Sequence, residues 1–241
     1  MLKNNQNMTK VPQHIVLFPD GNRRWAKKRG LPFLKGHWEG YQNLKRFCQW
    51  CQKKGVKVLT AFGFSTENWN RSKKEVNYLM KLFEKGLSEN LKKYQKNKKY
   101  QEEGIKVRII GQKERLPKSL QRVIEKVEDL TKDNKNFHLN LAVSYGGKWD
   151  ILQAMEKIRK HNPPIKKITE ELIGDYLSTA GLPEPDLIIR AGGERRLSNF
   201  LLWQAAYSEI YFSDKLWPDF TEKDLEDALK EYDLRQRRFG K

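Results

Sequence analysis

One carboxylate and four arginines carry the residue types that could do chemistry. Asp20 closes the run LFPD (17–20) and is followed by Gly21, Asn22, Arg23 and Arg24. Arg71 ends STENWNR (65–71), and Arg190 and Arg196 bracket RAGGERR (190–196). A guanidinium offers a planar fork of donors to phosphate oxygens, and glycine-rich backbone adds N–H groups beside it. A diphosphate held in this way is better neutralised with Mg²⁺, which takes one or two carboxylates together with phosphate oxygens. Asp20 is the natural carboxylate, against the plainer role of a helix N-cap. A surface ion pair is the plainer role for any single arginine, but Arg24, Arg71, Arg190 and Arg196 fall on one predicted edge. The phosphate loop GxxxxGK[ST] is absent, as is GxGxxG after the first predicted strand, so ordinary nucleotide binding loses support.

That edge follows from the elements that must position these residues. Strands are predicted at 14–19, 56–64, 105–111, 137–145 and 186–190, with a poorer one at 209–214. Helical patterns lie near 37–54, 73–99, 113–132, 148–160, 167–179 and 221–238. Several strands are almost continuously apolar, which fits a sheet buried on both faces, and alternation with helices indicates a mostly parallel α/β sheet. The expectation is a single domain, residues 14–241, with a six-stranded sheet flanked by helices, behind a short flexible arm at 1–13. Ligands of open parallel sheets sit beyond the carboxyl ends of the strands. There lie Asp20–Arg24, STENWNR, YGGKWD (145–150) and RAGGERRLS (190–198), which together make one cationic face.

The bulk numbers agree with an anionic ligand. Lys and Arg number 48 against 30 Asp and Glu, a formal charge of +18, which draws polyanions: nucleic acid, anionic membrane or phosphorylated substrates. Part of that charge is a solvated helix end, LKKYQKNKKYQEEG (91–104). No apolar stretch approaches the ~20 residues of a membrane span, and the N-terminus lacks the apolar core of a secretory signal, so a cytoplasmic location is expected. Cys48 and Cys51 form a C-x-x-C spacing late in a helical pattern, without the second pair that a structural zinc needs.

At this point the motifs resemble a known family. DGNRRWAKKRGLP…GH, FSTENWNR, YGGKWD and IIRAGGERRLSNFLLWQAAYSEIYFSDKLWPDF closely resemble the cis-prenyltransferases, the family of undecaprenyl diphosphate synthases and isoprenyl transferases, over about residues 14–240. The resemblance implies extension of an allylic diphosphate, commonly farnesyl diphosphate, by isopentenyl diphosphate units. It also implies Mg²⁺, a homodimer, and an apolar tunnel beside the sheet. By position it implies that Asp20 is the metal-linked aspartate and that Gly21, Asn22, Arg23, Arg24 and His37, with Trp25 beside them, grip the allylic diphosphate. Asn68 stands where the family is assigned a proton acceptor, read here as positioning one because an amide is hardly basic. Ser65, Thr66, Glu67, Trp69 and Arg71 surround the substrate. Arg190, Arg196, Leu197 and Ser198 match the isopentenyl diphosphate site, and Glu209 matches a second metal carboxylate. The closing Arg238 and Gly240 reach a neighbouring subunit's site.

Two departures stand out. The family usually has glycine where Arg23 stands and arginine where Phe33 stands. Ala191 replaces a usual threonine, and the lysine-rich 90–100 region is longer than usual. Arg23 is expected to take over the lost cation, and Phe137 to floor the tunnel. A short-chain or branching synthase on the same fold is the alternative product reading, and a catalytically silent partner subunit is disfavoured by the presence of Asp20. The rival from another class, a basic nucleic-acid-binding protein, requires aromatic platforms interleaved with the basic residues; the expectation is no nucleic acid. An insoluble product and the lysine run suggest peripheral contact with the membrane.

Overall fold

Strands apolar on both faces need helices on both faces, and the chain builds that layering. The computed structural model describes residues 10–161 and 167–235, leaving out the side chains of 99 and 100. In chain order it contains β1 (His14–Phe18), α1 (Asn22–Lys28), α2 (Phe33–Lys53), β2 (Val58–Ser65), α3 (Lys73–Lys96), α4 (Lys98–Glu102), β3 (Ile105–Ile110) and α5 (Lys118–Thr131). It continues with β4 (Phe137–Tyr145), α6 (Gly147–Arg159), α7 (Glu170–Tyr176), β5 (Leu187–Arg190), β6 (Glu209–Phe212) and α8 (Glu222–Leu234). The strand order is β3-β4-β2-β1-β5-β6, and every pairing is parallel. Successive side chains point to opposite faces. Ile15, Leu17, Leu59, Leu141, Val143 and Ile189 enter the larger core, which also takes Phe47, Val76, Leu120 and Leu225 from the helices. Val16, Phe18, Ala142, Tyr145 and Ile188 enter a smaller core closed by Phe200 and Leu201.

All six predicted strands are present, and β6 runs parallel like the rest. Helix α1 lies where no helix is predicted. It has seven residues, no side-chain cap and a single buried residue, Ala26, so its sequence carries no periodic signal. Packing onto α2 supplies what propensity does not. A Cβ at Gly36 would lie 2.0 Å from the Asn22 carbonyl oxygen, and one at Gly40 2.2 Å from Asn22 Oδ1. Only glycine at these positions lets α1 lie directly on α2. Helix α2 accordingly begins at Phe33, four residues earlier than the pattern suggests.

Residues 10–13 of the expected arm are tied to the domain, through Lys10 N–H to Asp233 and Gln13 N–H to Asp186, at 2.9 and 2.8 Å; residues 1–9 lie outside the described residues. Cys48 and Cys51 are buried in the larger core on α2. Burial pushes the Cys48 thiol up to about 12 and raises Cys51 as well, which keeps both as inert apolar side chains.

A buried polar chain crosses the sheet at its lower end. Asn140 Nδ2 donates to Thr60 Oγ1 (3.1 Å), which lies 2.8 Å from His14 Nε2, while His14 Nδ1 lies 2.8 Å from the Pro183 carbonyl. A carbonyl only accepts, so Nδ1 carries the proton, Nε2 accepts from Thr60, and the ring is neutral. Burial lowers His14 to about 4. The unfolded chain binds this proton below about pH 6.5 and the folded chain does not, so stability falls as pH drops from 6.5 towards 4. At pH 5 the loss is ~2 kcal/mol. Urea unfolding at pH 7.5 and 5 should show this extra loss in the native chain and not in His14→Gln; equal losses would refute it.

Candidate active site

The order of the sheet fixes where the site lies. Connections from β1 run towards β2, and those after β4 run to β5 on the far side of β1, so the carboxyl ends of β1 and β5 form the crevice typical of ligand binding. Asp20 follows β1 and Arg190 ends β5. Arg190 Nε and Nη2 both donate to Asp20 Oδ2, at 3.0 and 2.7 Å. Arg190 is buried; its Nη1 donates to the Arg196 carbonyl and to Ser198 Oγ (3.0 Å), and its guanidinium lies 4.6 Å from the Phe18 ring centre. The second oxygen of Asp20 has no bonding partner among the described residues, and the side chain is 38 % exposed at the cleft. Mg²⁺ favours one or two carboxylates plus substrate phosphates over an all-protein cage. Asp20 fits that use. Among the described residues, no three His, Cys, Asp or Glu side chains gather to hold a metal by themselves.

Around this pair opens a cleft of about 1310 Å³, larger than the ~300–1,000 Å³ usual for small-molecule pockets. Arg23, Arg24, Lys27, Arg71, Arg190 and Arg196 line its mouth against Asp20, Glu67 and Glu194. Glu194 ion-pairs with Arg24 (3.4 Å) and Arg196 (2.6 Å), and Arg24 also donates to the Gly192 carbonyl at 2.6 Å. Below the mouth the cleft runs between α2, α3 and the sheet, where Leu44, Leu79, Leu82, Phe83, Leu87 and Leu141 line it. A cationic mouth joined to an apolar arm suits an amphiphile with an anionic head.

Glu75 organises one wall of the mouth. It is 3 % exposed and takes His37 Nε2 and Arg71 Nη1, each at 3.1 Å, with Arg23 at 3.6 Å. Burial lowers the His37 pKa, opposed by Glu75. Sequence reading missed this residue because Ser72 caps α3 and its Oγ accepts from the Glu75 N–H; S-x-x-E reads as a capping box and nothing more. Asn199 was missed too. It links Glu67, through Nδ2 to Oε1 at 2.9 Å, to the backbone of Gly147 and Lys148. Ser198, Asn199 and Leu201 all have positive φ, and this strained loop holds Ser198 under Arg190.

Gly21, Asn22, Arg23, Arg24, His37, Ser65, Glu67, Asn68, Arg71, Arg190, Arg196 and Ser198 all line the cleft. Trp25, Thr66, Trp69 and Leu197 do not. Trp25 points away, donating to Asp219 at 2.7 Å beneath the Arg29 guanidinium. Trp69 donates to Ser144 at 2.9 Å and packs on Phe64, while Leu197 packs against the smaller core. Trp25, Trp69 and Leu197 pack behind the cleft wall. Asn68 exchanges hydrogen bonds with Ser65: its Oδ1 accepts from the Ser65 N–H, and its own N–H donates to Ser65 Oγ, both at 3.2 Å. Its amide oxygen is engaged, so it turns N–H donors, not a base, towards the cleft.

Glu209 requires a correction. It pairs with Leu187 at the start of β5, three residues below Arg190, and binds Arg235 at 2.7 Å. At ~3.3 Å per residue it lies about 10 Å towards the amino end of the sheet and one strand further out, so within one chain it does not share a metal with Asp20. Phe137 is also corrected. It is buried in the larger core and absent from the cleft lining, which stops at Leu141 on β4. Arg238 and Gly240 lie outside the described residues.

The Arg23 expectation gains a geometry. The Arg23 guanidinium sits 6.0 Å above the Phe33 ring, 61 % exposed, at the mouth. A charge-assisted bond to a ligand is worth ~1.5–3 kcal/mol, so Arg23→Gly should raise KM for the allylic diphosphate that the resemblance implies by roughly 10-fold or more, and adding Phe33→Arg should recover part of it. An unchanged KM in the single variant would remove Arg23 from the site.

Residues 18–240 match the family model for undecaprenyl diphosphate synthase prenyltransferases. The chain is 48% identical to an isoprenyl transferase of Thermotoga maritima over 233 residues, 96% of this chain and 97% of that one. It is 46% identical to a chloroplastic (2Z,6Z)-farnesyl diphosphate synthase of Solanum lycopersicum, covering 98% of this chain and 81% of that one. Among solved structures, lavandulyl diphosphate synthase of Lavandula x intermedia, in complex with dimethylallyl diphosphate, is similar with a TM-score of 0.88 and 42% identity, over 95% of this chain and 98% of that one.

Proposed function

The chain belongs to the undecaprenyl diphosphate synthase family of prenyltransferases, and on that premise we propose that its cleft condenses isopentenyl diphosphate units onto an allylic diphosphate, with farnesyl diphosphate as primer, to give a cis-polyprenyl diphosphate. The observation that carries this reading is the union of a cationic mouth with an apolar arm in one cleft. Arg23, Arg24, Asn22 and His37 face the allylic diphosphate, and Arg190, Arg196 and Ser198 face that of isopentenyl diphosphate. Asp20 would hold Mg²⁺, which would supply neutralisation of the charge on the departing diphosphate. Asn68 and Arg71 orient phosphate oxygens, and one such oxygen takes the proton that leaves the new carbon–carbon adduct. The apolar arm shelters the growing chain from water.

A shorter product is the second reading, favoured by the likeness in identity to the tomato (2Z,6Z)-farnesyl diphosphate synthase and to the lavandulyl diphosphate synthase. The discriminating experiment against a nucleic-acid-binding role is thermal protection. Mg²⁺ with isopentenyl diphosphate should raise Tm by mass action, and oligonucleotides should not; the reverse pattern would overturn the proposal.

Two copies are proposed to associate. Leu152 and Met155, one turn apart on α6, are 65% and 54% exposed and offer an apolar face that a second copy would cover. Sedimentation velocity of Leu152→Glu/Met155→Glu should shift from dimer to monomer; an unchanged species would exclude that face. No described helix is long and apolar enough to cross a membrane. Peripheral contact through exposed Lys92, Lys96 and Lys98 is proposed at about 1 kcal/mol per well-placed cation. Cosedimentation with anionic liposomes should weaken at high salt, and binding indifferent to lipid charge would refute it.

A further inference from the structure

We propose that the ring of Tyr41, seated on Gly86, sets how long a prenyl chain the cleft can hold. The inference rests on the prenyl-transfer reading and deepens it. Tyr41 stands one turn after His37 on α2, and Gly86 lies on α3; both line the apolar arm. A Cβ at Gly86 would lie 2.9 Å from Tyr41 Cε2 and 3.0 Å from its Oη, so the ring rests directly on the α3 backbone and bridges the two helices. The ring is braced. Trp38 packs against it at 5.7 Å between centres, and the Lys45 ammonium lies 5.2 Å from its centre. Phe83 repeats the device towards the sheet, where a Cβ at Gly63 would meet its ring at 3.0 Å.

Two aromatic rings, each on a glycine seat, therefore narrow the arm. Gly86 is eleven residues beyond Glu75, ~16 Å along α3 from the mouth, and Leu87 and Asn90 continue the lining past it. A growing chain that reaches the Tyr41 ring meets a braced side chain in a packed wall, which yields little room for further units. The lining continues past the ring to Leu87 and Asn90, so removal of the ring should leave a longer path.

The test measures product length by chromatography after incorporation of labelled isopentenyl diphosphate from a fixed allylic primer. Tyr41→Ala should lengthen the main product by at least one five-carbon unit, and Tyr41→Leu, which keeps apolar packing, should do so by an equal or smaller step. Gly86→Ala should drive the ring into the arm and shorten the product. In the Tyr41→Ala background, Gly86→Ala should lose that effect, a coupling that two independently destabilised variants would not show. Product length unchanged in both Tyr41 variants, or a Gly86→Ala effect that persists without the ring, overturns the assignment. Failure of the native chain to incorporate label at all would count instead against prenyl transfer itself.

Discussion

Asp20→Ala is expected to lower kcat by roughly 10³-fold or more at saturating Mg²⁺. In the proposed reaction charge develops on the departing diphosphate, and loss of the metal that Asp20 would hold would remove several kcal/mol of transition-state stabilisation. Arg190, bound through two nitrogens to Asp20 and only 4 % exposed, would lose its counter-ion as well. Asp20→Asn separates these effects: it keeps an acceptor for Arg190 and loses the charge a metal needs. Both variants should be inactive, with Asp20→Asn the more stable. Near-normal kcat in either would remove Asp20 from the chemistry.

Arg190→Lys should be almost as damaging. The guanidinium makes four hydrogen bonds in one plane, to Asp20 Oδ2 twice, to the Arg196 carbonyl and to Ser198 Oγ. An ammonium is a point charge that cannot reproduce that fork. Removing one partner of a buried ion pair costs ~3–5 kcal/mol; with Asp20 more than a third exposed, we expect the lower end or below for stability. Activity should suffer more, because Arg190 places Ser198 and the Arg196 segment at the mouth. We expect kcat/KM to drop by on the order of 10²–10³, or ~3–4 kcal/mol. A lysine variant within threefold of the native chain would show that charge alone suffices at this position.

The strands were legible because burial on both faces leaves an apolar run that few other elements share. Their carboxyl ends followed from parallel topology, so Asp20 and the arginines could be placed together before any distance was known. Depth and direction were not legible. Trp25 and Trp69 lie within segments that face the cleft, yet each turns its ring towards a hydrogen-bond partner behind it. Phe137 sits on the face of β4 that points towards the arm, but the cleft closes above it. Glu209 shows a conflict resolved by topology: its place at the start of a parallel strand puts it at the end of the sheet away from Asp20. Glu75 was hidden by an innocent pattern, since S-x-x-E looks the same in sequence whether its carboxylate caps the helix or, as here, gathers His37, Arg71 and Arg23.

The most direct test is incorporation of radiolabelled isopentenyl diphosphate with dimethylallyl, geranyl and farnesyl diphosphates as primers, with and without a chelator. We predict label in an apolar, cis-linked prenyl diphosphate that requires both primer and Mg²⁺ and disappears in Asp20→Ala. Absence of label with every primer at saturating Mg²⁺, or label undiminished by the chelator, would contradict metal-assisted prenyl transfer in this cleft.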